Sequence, residues 1–97
     1  MLYNNIRKSW GNIYASLAKT KEGKSLLLKV KQRSVKKGIF MYAYINKYYD
    51  FLSKKLKVST DWAEIQKAIN EKGYRKRRFY IQSLMEFLET DLEEVEK

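Results

Sequence analysis

The spacing of apolar residues along the chain predicts a series of helices, and the most apolar segment covers residues 39–56. At about 3.6 residues per turn, one set of its side chains falls on a single helix face. This set is Met41, Ile45, Tyr48, Tyr49, Leu52 and Leu56. Only a narrow polar arc is left for water, so we expect a central helix that the rest of the chain covers.

A second aromatic stripe, Phe40, Tyr44 and Phe51, lies on the same segment, roughly a third of a turn away. Such stripes usually pack in a core, but a chain this short has few elements to cover two of them, so docking on a partner stays open. Tyr42, together with the segment's other tyrosines and the nearby lysines, is also a pattern that can stack single-stranded bases. Core packing is the favoured interpretation for these tyrosines.

Residues 2–19 predict an amphipathic helix. Its inward face is Tyr3, Ile6, Trp10, Ile13, Tyr14 and Leu17, and its polar face includes Asn5, Lys8, Asn12, Ser16 and Lys19. The first 21 residues contain no acidic side chain, which superficially resembles an organelle-targeting peptide. A complete apolar face and a modest basic content favour a structural helix, with the cytoplasm as the expected compartment.

Residues 26–45 allow two interpretations. Leu26, Leu28 and Val30 alternate as in a strand, and a turn at Gly38 would complete a β-hairpin with residues 39–45. We favour helices, because continuing the second segment as a helix preserves its apolar face over further turns. In this interpretation residues 20–24 form a turn or frayed start, Ser25 caps the helix, and the helix ends near Arg33 and is recapped at Ser34.

Two further helices follow. Asp61 and Glu64 have capping-box spacing before a helix over residues 62–72, and Gly73 is placed to end it. The last helix is predicted from Tyr74, with a core stripe of Tyr74, Ile81, Leu84, Met85 and Leu88 flanked by Tyr80 and Phe87. Arg75, Lys76, Phe79, Gln82 and Ser83 lie on the opposite arc. The fold class is therefore all-α: one domain over residues 1–97, a small bundle of four to five helices.

Composition removes large classes of chemistry. The chain has no cysteine and no histidine, which excludes disulfides and thiolate sites and removes the commonest metal ligand and general base. Asp61 and Glu64 are explained as capping residues, and no motif for carboxylate, lysine or hydroxyl catalysis is visible. We predict a protein that is not an enzyme and needs neither cofactor nor metal. The longest apolar run, residues 39–45, is too short for a membrane span.

Charge points to a polyanionic partner. Lys and Arg number 21 against 11 Asp and Glu, for a formal net charge of +10. On a small domain this charge attracts chiefly nucleic acid, with anionic lipid or an acidic protein surface as other candidates. Residues 1–80 hold 20 basic and 5 acidic side chains, whereas residues 81–97 hold 1 basic and 6 acidic ones. An acidic tail from about residue 86 therefore follows a basic body; it could pack back, bind a basic partner or aid solubility.

The strongest candidate site is the run Arg75, Lys76, Arg77 and Arg78 at the start of the last helix. Four consecutive cations can straddle a phosphate backbone, and Arg75, Phe79 and Gln82 are spaced to face a groove together. Cations at a helix N-terminus oppose the macrodipole, which suggests an external anion. Residues 61–88 contain a helix, a glycine turn and a basic helix, an order loosely similar to a helix-turn-helix. The segment from Ala68 to Gly73 is one residue longer than the corresponding spacing in the common motif.

A second basic stretch, Lys29, Lys31, Arg33, Lys36 and Lys37, has no acidic neighbour in sequence and is predicted to assist. The predicted function is non-enzymatic nucleic-acid binding, with duplex DNA favoured over RNA. The alternative is an accessory subunit of a larger nucleic-acid-processing complex, such as a polymerase or ribonucleoprotein, docked through Phe40, Tyr44 and Phe51. The sequence leaves the oligomeric state open.

Overall fold

A computed structural model describes the backbone of residues 3–96 and the side chains of residues 5–91. Over this range the chain forms five helices and no strand: α1 (Tyr3–Leu17), α2 (Lys21–Lys37), α3 (Met41–Leu56), α4 (Trp62–Glu71) and α5 (Lys76–Glu96). The predicted small all-α bundle is confirmed. The hairpin alternative for residues 26–45 is wrong, because residues 26–37 and 41–45 are helical.

Helix α3 is the centre of the bundle and packs against each of the other four helices. Its predicted inward face is buried except for Met41, which is partly buried, and Tyr44 of the second stripe is buried with it. The three buried tyrosine hydroxyls each reach another helix: Tyr44 donates to Asp91 (2.9 Å), Tyr48 bonds Ser83 (2.8 Å) and Tyr49 bonds Ser9 (2.7 Å). Burial raises the pKa of all three tyrosines, so they remain neutral and can donate.

Helix α2 begins earlier and ends later than the sequence predicts. The Thr20 hydroxyl accepts the Gly23 N–H at 2.9 Å, so the cap is Thr20 rather than Ser25. Glycine is required at position 23, because a Cβ there would lie 2.0 Å from the Leu17 carbonyl oxygen at the end of α1. No break occurs at Ser34, which is buried and donates to the Lys31 carbonyl; the helix ends before Gly38, whose φ is 68°.

The connection from α4 to α5 is fixed by its own hydrogen bonds. Asp61 caps α4 by accepting the Glu64 N–H at 3.4 Å, as predicted. At the other end, Gly73 (φ 70°) donates to the Asn70 carbonyl (3.1 Å) and Tyr74 donates to the Ile69 carbonyl (3.2 Å). This pair of bonds is the Schellman motif, which stops α4 and sets the direction of the following residues.

The inward face of α5 differs from the prediction. The helix starts at Lys76, Tyr74 and Met85 are 46% and 40% exposed, and Phe79 and Ser83 are buried. A similar exchange occurs in α1, where Ser9 is buried and Tyr14 is 52% exposed. Ser9 and Ser83 point inward because tyrosine hydroxyls of α3 satisfy them, which an apolar pattern cannot reveal. The predicted inward position of Tyr3 lies outside the described side chains.

Candidate nucleic-acid interface

The four cations Arg75 to Arg78, called here the basic turn, are all exposed. Among the side chains of residues 5–91, ion pairs join Arg33 and Lys37 to Asp91, Lys54 to Asp50, and Lys55 to Glu86. None of these pairs involves the basic turn. Its charges are therefore not neutralised by a carboxylate within the described part of the chain.

The backbone adds to the positive charge of the basic turn. Because α5 starts at Lys76, its first intrahelical bond runs from the Phe79 N–H to the Arg75 carbonyl at 2.8 Å. The amides of residues 76–78 precede that bond and have no intrahelical acceptor. They form the positive pole of the helix dipole, so backbone and side chains attract the same anion.

Arg77 fixes the basic turn to the end of α1. Its Nε donates to the Ser16 carbonyl at 3.0 Å, and the Lys19 N–H approaches the same oxygen at 3.5 Å. Ser16 lies in the last turn of α1, where the dipole is negative and a cation is stabilised. This contact brings the exposed residue Lys19 close to the basic turn. The sequence did not reveal this proximity, because Ser16 and Arg77 are 61 residues apart.

Arg75, Arg78 and Gln82 line one shallow cleft of about 330 Å³. Arg75 and Gln82 were predicted to face a groove together, and both lie in this cleft. Lys55 of α3 also lines it, a second cation missed in the sequence because it comes from a distant helix. Phe79 was predicted to face outward for base contact. It is instead 8% exposed and lies under Tyr74, so it supports the cleft rather than presenting its ring to a ligand.

Two members of the second basic stretch are not free. Arg33 Nη1 lies 3.3 Å from Asp91 Oδ2, Lys37 Nζ contacts Asp91 Oδ1, and Tyr44 donates to Oδ2. Burial alone would raise the pKa of Asp91, but hydrogen bonds from Lys37 and Tyr44 and the charge of Lys37 outweigh it and lower this pKa. Treating Arg33 and Lys37 as free phosphate contacts was therefore wrong, because a carboxylate 54 to 58 residues away binds both.

Lys29, Lys31 and Lys36 are exposed, but they do not extend the basic turn. Arg77 meets the end of α1 beside the start of α2, whereas Asp91 meets the far end of α2. From Lys76 to Asp91 the helix advances about 22 Å at about 1.5 Å per residue. Lys29 also shares a cleft with Glu89. The two predicted basic stretches are thus separate surfaces.

The predicted acidic tail packs back onto the body at two positions. Asp91 is 5% exposed in its contact with α2, and Glu86 accepts from Lys55 at 2.6 Å. Helix α5 continues to Glu96, so this segment is an integral part of the bundle at least as far as Asp91. The side chains of Glu93, Glu94 and Glu96 lie outside the described range.

The aromatic face predicted for docking does not form. Tyr44 is fully buried, Phe51 is half-buried against Phe87 (ring centroids 5.7 Å apart), and Phe40 is 61% exposed. An apolar groove of about 490 Å³ lies instead between α1 and α2. Its lining includes Trp10, Tyr14, Leu27, Leu28 and Met41, with Lys24 and Lys31.

Within the described residues, no group of three or more His, Cys, Asp or Glu is placed to hold a metal ion. The helices of that part are also too short or too polar to cross a membrane. Comparison of the chain with models of known protein families, with curated proteins and with solved structures found no significant match.

Proposed function

We propose that this domain is a non-enzymatic nucleic-acid-binding protein that contacts the phosphate backbone through the basic turn. One observation carries the proposal: four adjacent exposed cations share no carboxylate partner among the described side chains, at the positive pole of α5. The contact of Arg77 with Ser16 and the Schellman motif at Gly73 support a preformed arrangement. Preorganised cations lose less conformational entropy when they bind phosphates.

Duplex DNA remains the first target to test, with the cytoplasm as the expected compartment. Phosphate contacts supply affinity without sequence specificity, and Arg75 and Gln82 are the candidates for contacts to base edges. Lys19, close to the contact of Arg77 with Ser16, and Lys55, in the cleft with Arg75 and Arg78, are added to the interface.

A helix-turn-helix mode, with α5 lying along a DNA groove, is less well supported than contact through its end. Helices α4 and α5 do meet, through Gln66 and Tyr80 (2.8 Å) and the stacked rings of Trp62 and Tyr80. Beyond its first turn, however, α5 exposes Glu86 and Glu89. Carboxylates on that face would repel DNA phosphates, so we propose that only the start of α5 touches the backbone.

The test compares two variants that lose the same charge. One replaces Arg75, Lys76, Arg77 and Arg78 by alanine. The matched control replaces four exposed cations outside the proposed interface, Arg7, Lys8, Lys47 and Lys54. Lys55 is unsuitable as a control because it lines the same cleft as Arg75 and Arg78. A third variant keeps Arg77, and with it the contact to Ser16, so that a loss of binding can be separated from a loss of structure.

Fluorescence anisotropy with a labelled duplex at about 50 mM salt measures the affinities. The wild type should bind in the micromolar range or tighter, and the basic-turn variant should bind at least about 100-fold more weakly, because several phosphate contacts are lost. The matched control should lose much less affinity for the duplex. Equal losses in the two variants would mean that only overall charge matters and that the proposed site is wrong.

A second candidate function, an accessory subunit of a larger nucleic-acid-processing complex, is favoured by the apolar groove between α1 and α2. Tyr14 and Leu28 are 52% and 56% exposed there, beside Lys24 and Lys31. Charge complementarity suits an acidic segment of a partner protein that carries apolar side chains. Substituting Leu28 by Lys should abolish assembly with such a partner while leaving duplex binding intact.

A further inference from the structure

Tyr74 forms the outer layer of a stacked aromatic pair beside the basic turn. Its ring lies 5.3 Å from that of Phe79, with 12° between the ring planes. Phe79 is only 8% exposed, whereas Tyr74 is 46% exposed. One face of Tyr74 thus covers Phe79, and a large part of the ring remains accessible to solvent. This is the geometry of a stacking platform with its outer position open.

The backbone holds Tyr74 in this position. Its N–H donates to the Ile69 carbonyl in the Schellman motif at the end of α4, and Phe79 belongs to the second turn of α5. In this motif the residue after glycine usually packs back onto its own helix. Here the Tyr74 ring stacks on Phe79 of the next helix, so its backbone is held at the end of α4 and its ring on α5 before any ligand arrives.

The cleft next to the ring brings together groups that match one nucleotide. Arg75, Arg78 and Lys55 supply positive charge, and Gln82 supplies an amide that both donates and accepts. Glu86 also lines the cleft, but its carboxylate is paired with Lys55 at 2.6 Å. Among the described side chains, Arg75 and Arg78 are therefore the cations of the cleft that have no carboxylate partner. Its volume of about 330 Å³ is at the lower end of the range for small-ligand sites and suits a single nucleotide.

We propose that this cleft holds one unpaired nucleobase, stacked on Tyr74, with its phosphate on Arg75 and Arg78 and its edge near Gln82. The inference rests on the proposed nucleic-acid binding and specifies the ligand. In a duplex each base is already stacked and paired, so only an unpaired base can reach the ring. A single strand or an unpaired end should therefore bind more tightly than a fully paired duplex.

The experiment uses a single strand of about 12 nucleotides, within the site sizes known for single-strand binders, and the same strand paired with its complement. A 2-aminopurine in the single strand reports stacking through its fluorescence. The variants are Tyr74→Leu, which still covers Phe79 but cannot stack well, and Tyr74→Phe, which keeps the stacking face. Tyr14→Leu, at a similarly exposed tyrosine on α1, is the matched control.

Tyr74→Leu should weaken single-strand binding by about 5- to 150-fold, the range measured when a stacking aromatic is removed. It should leave duplex affinity unchanged and should abolish the quenching of 2-aminopurine. Tyr74→Phe and Tyr14→Leu should behave as the wild type. A circular-dichroism melt of each variant shows whether the fold is retained, and the aromatic variant Tyr74→Phe separates loss of stacking from loss of structure.

The outcomes distinguish this inference from the function on which it rests. If the wild type binds duplex at least as tightly as single strand, or if Tyr74→Leu weakens both equally or neither, the nucleobase site is wrong while the basic turn stands. If the wild type binds neither nucleic acid at low salt, the proposed function itself fails.

Discussion

The first turn of α5 and the region around Asp91 lie about 22 Å apart on one helix, and cations gather at both. At the first turn, Arg75 and Arg78 are exposed and line an open cleft. Around Asp91, Arg33 and Lys37 are 18% exposed at their side chains and converge on one buried carboxylate. In sequence the two basic clusters look alike. The position of a single acid decides which of them stabilises the fold and which is available to a ligand.

Removing that acid should have the largest effect on stability. Asp91→Asn leaves two partly buried cations without a charged partner, and breaking a buried ion pair typically costs about 3 to 5 kcal/mol. Because Arg33 and Lys37 keep some contact with water, we expect about 2 to 4 kcal/mol in the free energy of unfolding, measured by urea denaturation. Glu89→Gln, at an exposed carboxylate two residues away, should stay within about 0.5 kcal/mol. Similar losses in both variants would show that Asp91 has no special role.

A reciprocal pair of substitutions sharpens the comparison. Arg33→Met should lower the free energy of unfolding by about 1 to 2 kcal/mol, because Asp91 loses a hydrogen bond, but should leave nucleic-acid affinity unchanged. Arg78→Met should do the reverse: stability should change little, and affinity should fall roughly 5- to 10-fold at about 0.1 M salt, as for one lost phosphate contact. The same two proteins are measured by urea denaturation and by anisotropy. If both variants lose both properties, the two ends of α5 are not functionally distinct.

Low pH should reduce the contribution of Asp91 to the stability of the fold. Because its pKa is lowered on folding, its carboxylate stabilises the fold fully above the ordinary aspartate value near 3.9. That contribution is lost as the pH falls through the lower folded value. The difference in unfolding free energy between wild type and Asp91→Asn should therefore be largest near neutral pH and shrink below about pH 4. A difference that stays constant down to about pH 2 would contradict the lowered pKa.

Much of the fold follows from local pattern. The spacing of apolar residues was sufficient to predict the inward face of α3. Capping chemistry was sufficient to predict the start of α4 at Asp61 and its end at Gly73. The start of α2 was missed because Gly23 looks like a turn residue, although the nearby Leu17 carbonyl oxygen is what requires it. The face of α5 was missed because its inward positions include Ser83 and Asp91, whose polar groups are satisfied by tyrosines of α3.

The candidate site was less predictable than the fold for a related reason. The basic turn is contiguous in sequence and could be found there, whereas Lys19 and Lys55 join it only through tertiary packing. Arg33 and Lys37 looked free because the acid that binds them comes from the far end of the chain. Tyr74 looked like a core residue because the last helix was predicted to start there, whereas α5 begins at Lys76 and Tyr74 lies before it.

The most direct test of the central claim is the salt dependence of duplex affinity for the wild type and for the variant with alanine at positions 75–78. Each phosphate contact contributes about 0.9 to the slope of log affinity against log salt concentration. Between about 50 and 200 mM salt, the variant should therefore show a slope shallower by about 2 to 4, while the matched control that lacks Arg7, Lys8, Lys47 and Lys54 keeps a slope close to that of the wild type. An unchanged slope in the basic-turn variant would contradict the claim that these four cations contact phosphates.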